Sequence, residues 1–163
     1  MTKILVAYFS ASAAKVTEKV AERLAETIGA DLFEIVPEVP YTAADLRWAN
    51  PLARCNKEKF GKKDVPSVGK VENFAEYDLI ILGFPIWYYS APNIINTFIS
   101  GYDTAGKKIA AFATSGGSKI GKTAEKLAPY VSEKAKILDA KLFERDVTPD
   151  ALRSWVNGLL RQG

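Results

Sequence analysis

The sequence predicts an α/β fold: a doubly wound, five-stranded parallel sheet in the order 2-1-3-4-5 with helices on both faces. Two observations support this fold class. Apolar runs within Ile4–Phe9 and Asp78–Gly83 alternate along the chain with segments whose apolar residues recur at the 3.6-residue period of a helix. The runs are apolar at nearly every position, which is typical of strands that are covered by helices on both faces.

The first half of the chain opens with a strand, a short polar turn and a helix. The strand is Ile4–Phe9, and the helix begins near Val16 and is ended by Gly29, a residue suited to a helix C-cap. Its predicted apolar face consists of Val16, Val20, Ala21, Leu24, Ala25 and Ile28. A second strand is predicted from Asp31 up to Pro37. Four prolines then interrupt residues 37–70, so we expect an irregular excursion there, with short helices near 43–48 and 52–60.

The second half of the chain repeats the strand–helix alternation. Its predicted elements are a strand over 78–83, a helix over 93–101, a strand over 108–113, a helix over 120–131 and a strand over 135–143. Thr148 and Pro149 provide an N-cap and a first helical residue for the final helix. No internal repeat or linker is evident, so we expect one domain over residues 1–163.

Composition excludes several kinds of chemistry. The 163 residues include no histidine and one cysteine, Cys55, which excludes histidine-based catalytic pairs and multi-cysteine metal sites. Chemistry must then come from a cofactor, carboxylates, tyrosines or lysines; a bound cofactor is our leading hypothesis, and with it we predict no catalytic side chain and no metal ligand. The net charge of +3 is too small to indicate nucleic-acid binding, and no apolar run reaches the ~20 residues of a membrane span. A cytoplasmic protein is the expected setting.

Three unusual loops follow predicted strands at their carboxyl ends, where doubly wound sheets bind ligands. Residues 10–15 begin with small residues, of which Ser10 and Ser12 carry hydroxyls, and they precede a helix, so they suit an anion such as a phosphate. Residues 85–92 carry three aromatic side chains between two prolines, and residues 114–118 offer the exposed amides of Gly116 and Gly117. A phosphate site beside flat aromatic surfaces fits flavin mononucleotide (FMN) best.

Each loop also has a simpler interpretation. Ser10 can cap the first helix without binding anything, Trp87 and Tyr88 can cover the edge of the core, and Gly116 and Gly117 can form an ordinary turn. Other nucleotide sites fit less well. The first strand is followed neither by the Gly-x-Gly-x-x-Gly of dinucleotide-binding folds nor by the Gly-Lys-Ser/Thr of nucleotide triphosphatases, a triplet that this chain carries only at 121–123.

Three segments resemble the flavodoxins, specifically their short type. They are Ala-Tyr-Phe-Ser-Ala-Ser at 7–12, Gly-Phe-Pro-Ile-Trp-Tyr at 83–88 and Phe-Ala-Thr-Ser-Gly-Gly-Ser at 112–118. The resemblance covers nearly the whole chain and implies non-covalent FMN binding by the three loops. The implied cofactor-binding residues are Ser10, Ala11, Ser12, Ala13, Ala14, Lys15, Pro85, Ile86, Trp87, Tyr88, Thr114, Ser115, Gly116, Gly117 and Ser118.

The phosphate loop departs from the family pattern, Ser/Thr-x-Ser/Thr-Gly-x-Thr. Its last three positions are here Ala13, Ala14 and Lys15, so the glycine and the threonine hydroxyl are replaced. Lys15 either offers a full charge to the phosphate or points into solvent. We expect FMN to bind, but more weakly than in a loop with glycine and threonine.

Three functions remain open at this stage. The leading hypothesis is an electron carrier whose partners are redox proteins, a reductase and an electron acceptor, with no nucleic acid or membrane partner. The second is an FMN-dependent NAD(P)H:quinone reductase, which would need a further substrate pocket, for example under residues 41–65. The third is a flavodoxin-fold protein with weakened or lost flavin binding, for which the altered phosphate loop is the support.

Overall fold

The protein was analysed as a computed structural model, which describes residues 2–10, 15–42, 45–46, 49–50, 52–55, 58, 65–86, 91–114 and 120–162. Its main sheet has five parallel strands. Counted along the chain within this sheet, their spatial order is 2-1-3-4-5, which confirms the predicted topology. These strands are β1 (Ile4–Tyr8), β2 (Asp31–Glu34), β5 (Leu79–Pro85), β6 (Lys108–Thr114) and β7 (Lys136–Leu142). A separate antiparallel pair joins β3 (Val36–Pro37) to β4 (Ser67–Val68).

The central strands are buried on both faces, as their apolar runs predict. In β5, alternate side chains enter different cores: Ile80 and Leu82 on one face, Leu79 and Ile81 on the other, and all four are 0% exposed. Burying a side chain of this size contributes roughly 1.5 to 3 kcal/mol relative to leaving it in water. This double burial holds the carboxyl ends of β1, β5 and β6 at one edge of the sheet.

Helices cover both faces of the sheet. The described helices are α1 (Val16–Ile28), α2 (Asn93–Ser100), α3 (Thr123–Leu127) and α4 (Pro149–Arg161). The buried residues of α1 and α4 pack on one face, and those of α2 together with Leu127 of α3 pack on the other. The predicted cap of α4 is confirmed, because the Thr148 side chain accepts a hydrogen bond of 3.2 Å from the amide of Ala151. No helix within the described ranges has the length and apolar character needed to cross a membrane.

Two predicted elements differ from the structure. The helix expected over 120–131 is shorter: α3 ends at Leu127 and a 3₁₀ turn, Ala128–Tyr130, follows. Pro129 explains this, because it lacks the amide needed to continue the helix. The predicted second strand stops at Glu34, and Val36 instead pairs with Val68 in the antiparallel ribbon. This pairing joins the two ends of the excursion, residues 37–70.

Arg54 fixes the excursion to the sheet edge. Its Nη1 donates to the carbonyls of Val39 (2.8 Å) and Pro40 (3.2 Å), and its Nε donates to Glu58 Oε2 (2.9 Å). The guanidinium also lies 3.9 Å from the centre of the Tyr41 ring, whose hydroxyl donates to Glu58 Oε1. Since Glu58 is buried, this pairing is what makes its charge tolerable in the interior.

Candidate functional site

The three loops predicted to form the site start from neighbouring strands. Tyr8 of β1 lies opposite Gly83 of β5, and Pro85 lies opposite Thr114, the last residue of β6. Two further hydrogen bonds extend the pairing beyond the strands: Phe9 N donates to Gly83 O (2.9 Å) and Ile86 N donates to Thr114 O (2.8 Å). The loops therefore begin at one edge, at the point where the strand order reverses between β1 and β5.

Five of the predicted site residues are described, and all five lie at or beside this edge: Ser10, Lys15, Pro85, Ile86 and Thr114. The other ten lie outside the described residues, and their roles stay predictions. These are Ala11, Ser12, Ala13, Ala14, Trp87, Tyr88, Ser115, Gly116, Gly117 and Ser118.

Ser10 presents an unsatisfied polar atom. Its Oγ is buried and has no hydrogen-bond partner in the described part of the chain. Such atoms are rare in folded proteins, because a buried hydroxyl without a partner costs roughly 1 to 3 kcal/mol. A ligand oxygen bound at this position would remove that cost. The atom thus favours the phosphate-binding interpretation of Ser10 over the capping one.

Lys15 has a left-handed backbone conformation, with φ 51° and ψ 40°, immediately before the first residue of α1. Among the described residues other than glycine, it alone has a positive φ. A left-handed residue followed by a right-handed one makes successive amides converge into a concave anion site, here those of residues 15–17. The conformation costs an L-residue roughly 1 to 2 kcal/mol, so packing elsewhere must maintain it.

The Lys15 side chain faces a carboxylate. Its Nζ lies 3.9 Å from Glu18 Oε2, and the side chain is 65% exposed. Glu18 in turn accepts a hydrogen bond of 3.1 Å from the Tyr8 hydroxyl. Burial, followed by the nearby Glu34 and Glu18 charges, raises the pKa of Tyr8, so the phenol remains protonated and can donate. The ammonium of Lys15 is thus partly neutralised by Glu18.

Thr17 is a site residue that the sequence analysis missed. It is the second residue of α1, is 3% exposed, and its Oγ1 lies 2.7 Å from Oγ1 of Thr114. Its position held a signal: it stands three residues before Val20, on the apolar face of the helix. Thr17 is in the first turn of the helix. Its hydroxyl therefore lies near the backbone amides that have no hydrogen-bond partner within the helix.

A small cavity adjoins Ser10 on the side of β2. It has a volume of about 200 Å³, below the ~300 Å³ at which ligand pockets usually begin. Its lining residues are Phe9, Ser10, Glu34, Ile35, Val36, Pro37, Pro40 and Tyr41. Tyr41 packs on Phe9 with the ring centres 5.6 Å apart. The excursion thus supplies one wall of the space beside the phosphate loop. Within the described ranges, no three histidine, cysteine, aspartate or glutamate residues are grouped to hold a metal ion.

A parallel five-stranded sheet of this order, with its site loops at the switch point, defines the flavodoxin-like class of α/β folds. The chain belongs to the flavodoxin family, whose model matches residues 3–159. None of the curated proteins matched the sequence.

Several solved structures are similar to the chain over nearly its whole length. A provisionally assigned flavoprotein from Bacteroides eggerthii is 40% identical, covers 98% of this chain and 99% of its own, and superposes with a TM-score of 0.90. One from Bacteroides uniformis is 37% identical over 96% of this chain and 98% of its own, with a TM-score of 0.86. A Lactobacillus acidophilus flavoprotein solved in complex with FMN is 22% identical over 87% and 93%, with a TM-score of 0.69, and supports the fold alone.

Proposed function

We propose that this protein is an electron carrier that binds FMN non-covalently at the carboxyl edge of its sheet. The observation that carries the proposal is the buried, unpartnered Oγ of Ser10 at the end of β1, beside the converging amides of residues 15–17. Both features suit a phosphate, and membership of the flavodoxin family supports FMN as the phosphate ester.

The chain's own residues bind and orient the cofactor in this proposal. Ser10 and the first amides of α1 hold the phosphate, whose negative charge the helix dipole also favours. The ring lies against the loop that begins at Pro85 and Ile86, with Trp87 and Tyr88 supplying aromatic surface. The loop after Thr114 closes the other side with backbone amides. The bound flavin supplies the electron-accepting and electron-donating chemistry.

A carrier needs a bound flavin and partners, and it does not need a pocket for a second substrate. The small cavity beside Ser10 and Tyr41 is lined largely by apolar side chains and lies on the β2 side, away from the loops proposed to hold the ring. A carrier is proposed over an NAD(P)H:quinone reductase because the chain belongs to the flavodoxin family. Its proposed partners are a reductase that delivers electrons and a protein that accepts them.

Titration of the flavin-free protein with FMN tests the proposal. We expect one FMN per chain, quenching of flavin fluorescence, and reversible reduction of the bound flavin by dithionite. Absence of FMN binding would refute it and would leave the third hypothesis, a flavodoxin-fold protein without flavin. Rapid steady-state oxidation of NADH or NADPH with a quinone, by the loaded protein alone, would instead identify an enzyme.

A further inference from the structure

We infer that the Thr17–Thr114 hydroxyl pair supplies the side-chain donor to the cofactor phosphate, a role that the family pattern would place at residue 15. The inference rests on the proposed FMN function and goes beyond it, because it assigns a binding residue, Thr17, that neither the loop pattern nor the family match identifies. It also assigns Lys15 a backbone role only.

The two threonine hydroxyls together carry one more proton than their mutual hydrogen bond uses. Each threonine hydroxyl carries one proton, and the 2.7 Å contact between the two Oγ1 atoms uses one of the two. The other proton has no acceptor among the described residues. Since Thr17 is 3% exposed and Thr114 is 5% exposed, bulk water is a poor substitute. The pair therefore presents one buried donor that a ligand can satisfy.

The pair lies where a phosphate would bind. Thr114 is the last residue of β6, and Thr17 is in the first turn of α1, so the two hydroxyls join the helix N-terminus to the carboxyl edge of the sheet. The unpartnered Ser10 Oγ is at the same edge, at the end of β1. One anion can accept from the amides of the turn and from both hydroxyl sites, and such charge-assisted bonds are the strong ones.

Lys15 is poorly placed to replace the missing threonine hydroxyl. Its ammonium is 3.9 Å from Glu18, and Glu18 is held in place by Tyr8. The family pattern aligned on Ser10 puts its threonine at position 15, whereas the buried threonine of this chain stands two positions later. The left-handed residue, Lys15, stands at the first of these two positions. In this chain the threonine is displaced, not lost.

The hydroxyl pair also connects the two halves of the proposed site. The carbonyl of Thr114 accepts from the amide of Ile86, which begins the aromatic loop. A phosphate bound by Thr17 and Thr114 therefore stabilises the same strand end that holds the ring loop. This connection makes Thr114 a shared contact of both loops.

The experiment compares FMN with riboflavin, which lacks the phosphate, in four variants: Thr17→Val, Thr17→Ser, Thr114→Val and Lys15→Ala. We expect Thr17→Val to weaken FMN binding by roughly ten- to a hundred-fold while riboflavin affinity stays within about two-fold, because a bond to a charged group is lost. Thr17→Ser, which keeps the hydroxyl, should restore most of the affinity. Lys15→Ala should change FMN affinity by less than about three-fold, as expected for an exposed charge.

Three results of these flavin titrations would overturn the inference. One is unchanged FMN affinity in Thr17→Val. Another is a larger loss in Lys15→Ala than in Thr17→Val, which would make the ammonium the phosphate ligand. Equal losses for FMN and riboflavin would also count against it, since they indicate a general structural effect. Thermal unfolding of each flavin-free variant measures that effect separately.

A second experiment uses inorganic phosphate as the probe. It distinguishes a failure of the inference from a failure of the proposed function, because it does not depend on flavin binding. We expect millimolar phosphate to raise the melting temperature of the flavin-free wild type, and to raise that of Thr17→Val less. If the wild type binds no flavin but shows this difference, the proposed function is wrong and the phosphate site remains. If phosphate stabilises both proteins equally, the hydroxyl pair is not the donor.

Discussion

At the residue scale, Lys15 holds a backbone conformation that an L-residue adopts only at a cost, and it does so at the start of the helix that is proposed to bind the phosphate. The neighbouring Ser10 hydroxyl is buried without a partner. Two unfavourable features at the same strand end suggest that affinity for an anion, rather than stability of the empty protein, determines this loop. Both features can be tested by single substitutions.

Lys15→Gly should stabilise the protein. Glycine adopts φ 51° without the Cβ clash, so we expect a gain of roughly 1 kcal/mol in the free energy of unfolding, measured by urea denaturation. Lys15→Thr should destabilise it, because a β-branched side chain fits this conformation poorly. Lys19→Gly, one turn later in regular helix, is the control and should lose about 1 kcal/mol. A loss in Lys15→Gly equal to that of the control would contradict the left-handed conformation.

Trp87→Ala should weaken FMN binding and reduce the quenching of flavin fluorescence. We expect this because aromatic stacking contributes roughly 0.5 to 1.5 kcal/mol beyond the area buried. Trp48→Ala, in the excursion, is the control for loss of a tryptophan outside the predicted site. If affinity and quenching both stay at their wild-type values, Trp87 does not contact the flavin.

At the scale of elements, close packing of β5 on β6 fixes the edge from which two of the site loops begin. Gly83 shows how close this packing is: a Cβ added there would lie 2.2 Å from Cζ of Phe112. The Phe112 ring therefore occupies the space over Gly83, in the core formed with α1 and α4. A larger residue at position 83 must displace that ring.

Gly83→Ala should destabilise the protein by roughly 1 to 3 kcal/mol, the usual cost of overpacking a core. The melting temperature of the flavin-free protein measures this. Combining it with Phe112→Leu should recover part of the loss, because the ring is the obstacle. Gly158→Ala is a matched control: nothing lies within 4 Å of its added Cβ and it is in helix α4, so it should gain up to about 1 kcal/mol. Equal effects of the two alanines would rule out the predicted clash.

Stability should fall above pH 10 because the pKa values of three of the described tyrosines are raised in the folded protein. Partial burial raises the pKa of Tyr41, with its hydrogen bond to Glu58 adding to the effect, and burial likewise raises that of Tyr8 and of Tyr77. Unfolding releases each phenol to a normal pKa near 10, so above that pH the unfolded state loses a proton that the folded state retains. Each tyrosine should then cost at most about 1.4 kcal/mol per pH unit until its folded pKa is reached, and less where solvent screens the phenol.

Urea denaturation between pH 8 and 11 measures this dependence, and Tyr41→Phe should lower the slope above pH 10 by about a third, since it removes one of the three tyrosines. Tyr130→Phe, whose ring is exposed, is the control and should leave the slope unchanged. A slope that is the same in the wild type and in Tyr41→Phe would show that Tyr41 does not titrate with unfolding.

At the scale of the whole molecule, net charge decides which partner surfaces suit the protein. The chain carries a formal charge of +3. Electron-transfer complexes are small and transient, so long-range charge attraction mainly affects how fast they form. We therefore propose acidic or mixed-charge redox partners over basic ones.

Electron-transfer rates with an acidic reductase should fall as ionic strength rises from about 10 to 200 mM, because salt screens the attraction. Stopped-flow mixing of the FMN-loaded protein with one acidic and one basic partner gives the comparison. The acidic partner should be faster at low salt. A rate that rises with salt for the acidic partner would refute the proposed charge preference.

The sequence by itself determined the fold class, the strand order and the edge at which the candidate site lies, because those follow from local patterns: continuous apolar runs, helical periodicity and the residues at strand ends. The cap at Thr148 was predictable for the same reason. The 3₁₀ turn at Pro129 and the Val36–Val68 pairing were not predicted, since each required weighing competing preferences or distant partners.

Only the tertiary structure decided how the described part of the phosphate loop is arranged. Thr17 and Thr114 are 97 residues apart in the chain, and their hydroxyls meet because β6 ends beside the start of α1. The hydrogen bond from Tyr8 to Glu18 similarly depends on helix α1 packing over β1, whereas the pairing of Glu18 with Lys15 is local. The family's phosphate-loop pattern, aligned on Ser10, places a threonine hydroxyl at residue 15. In the structure, the contact between helix α1 and the end of β6 places a threonine hydroxyl at residue 17. The physical reason is that hydrogen bonds depend on spatial proximity, which the order of residues in a loop does not specify.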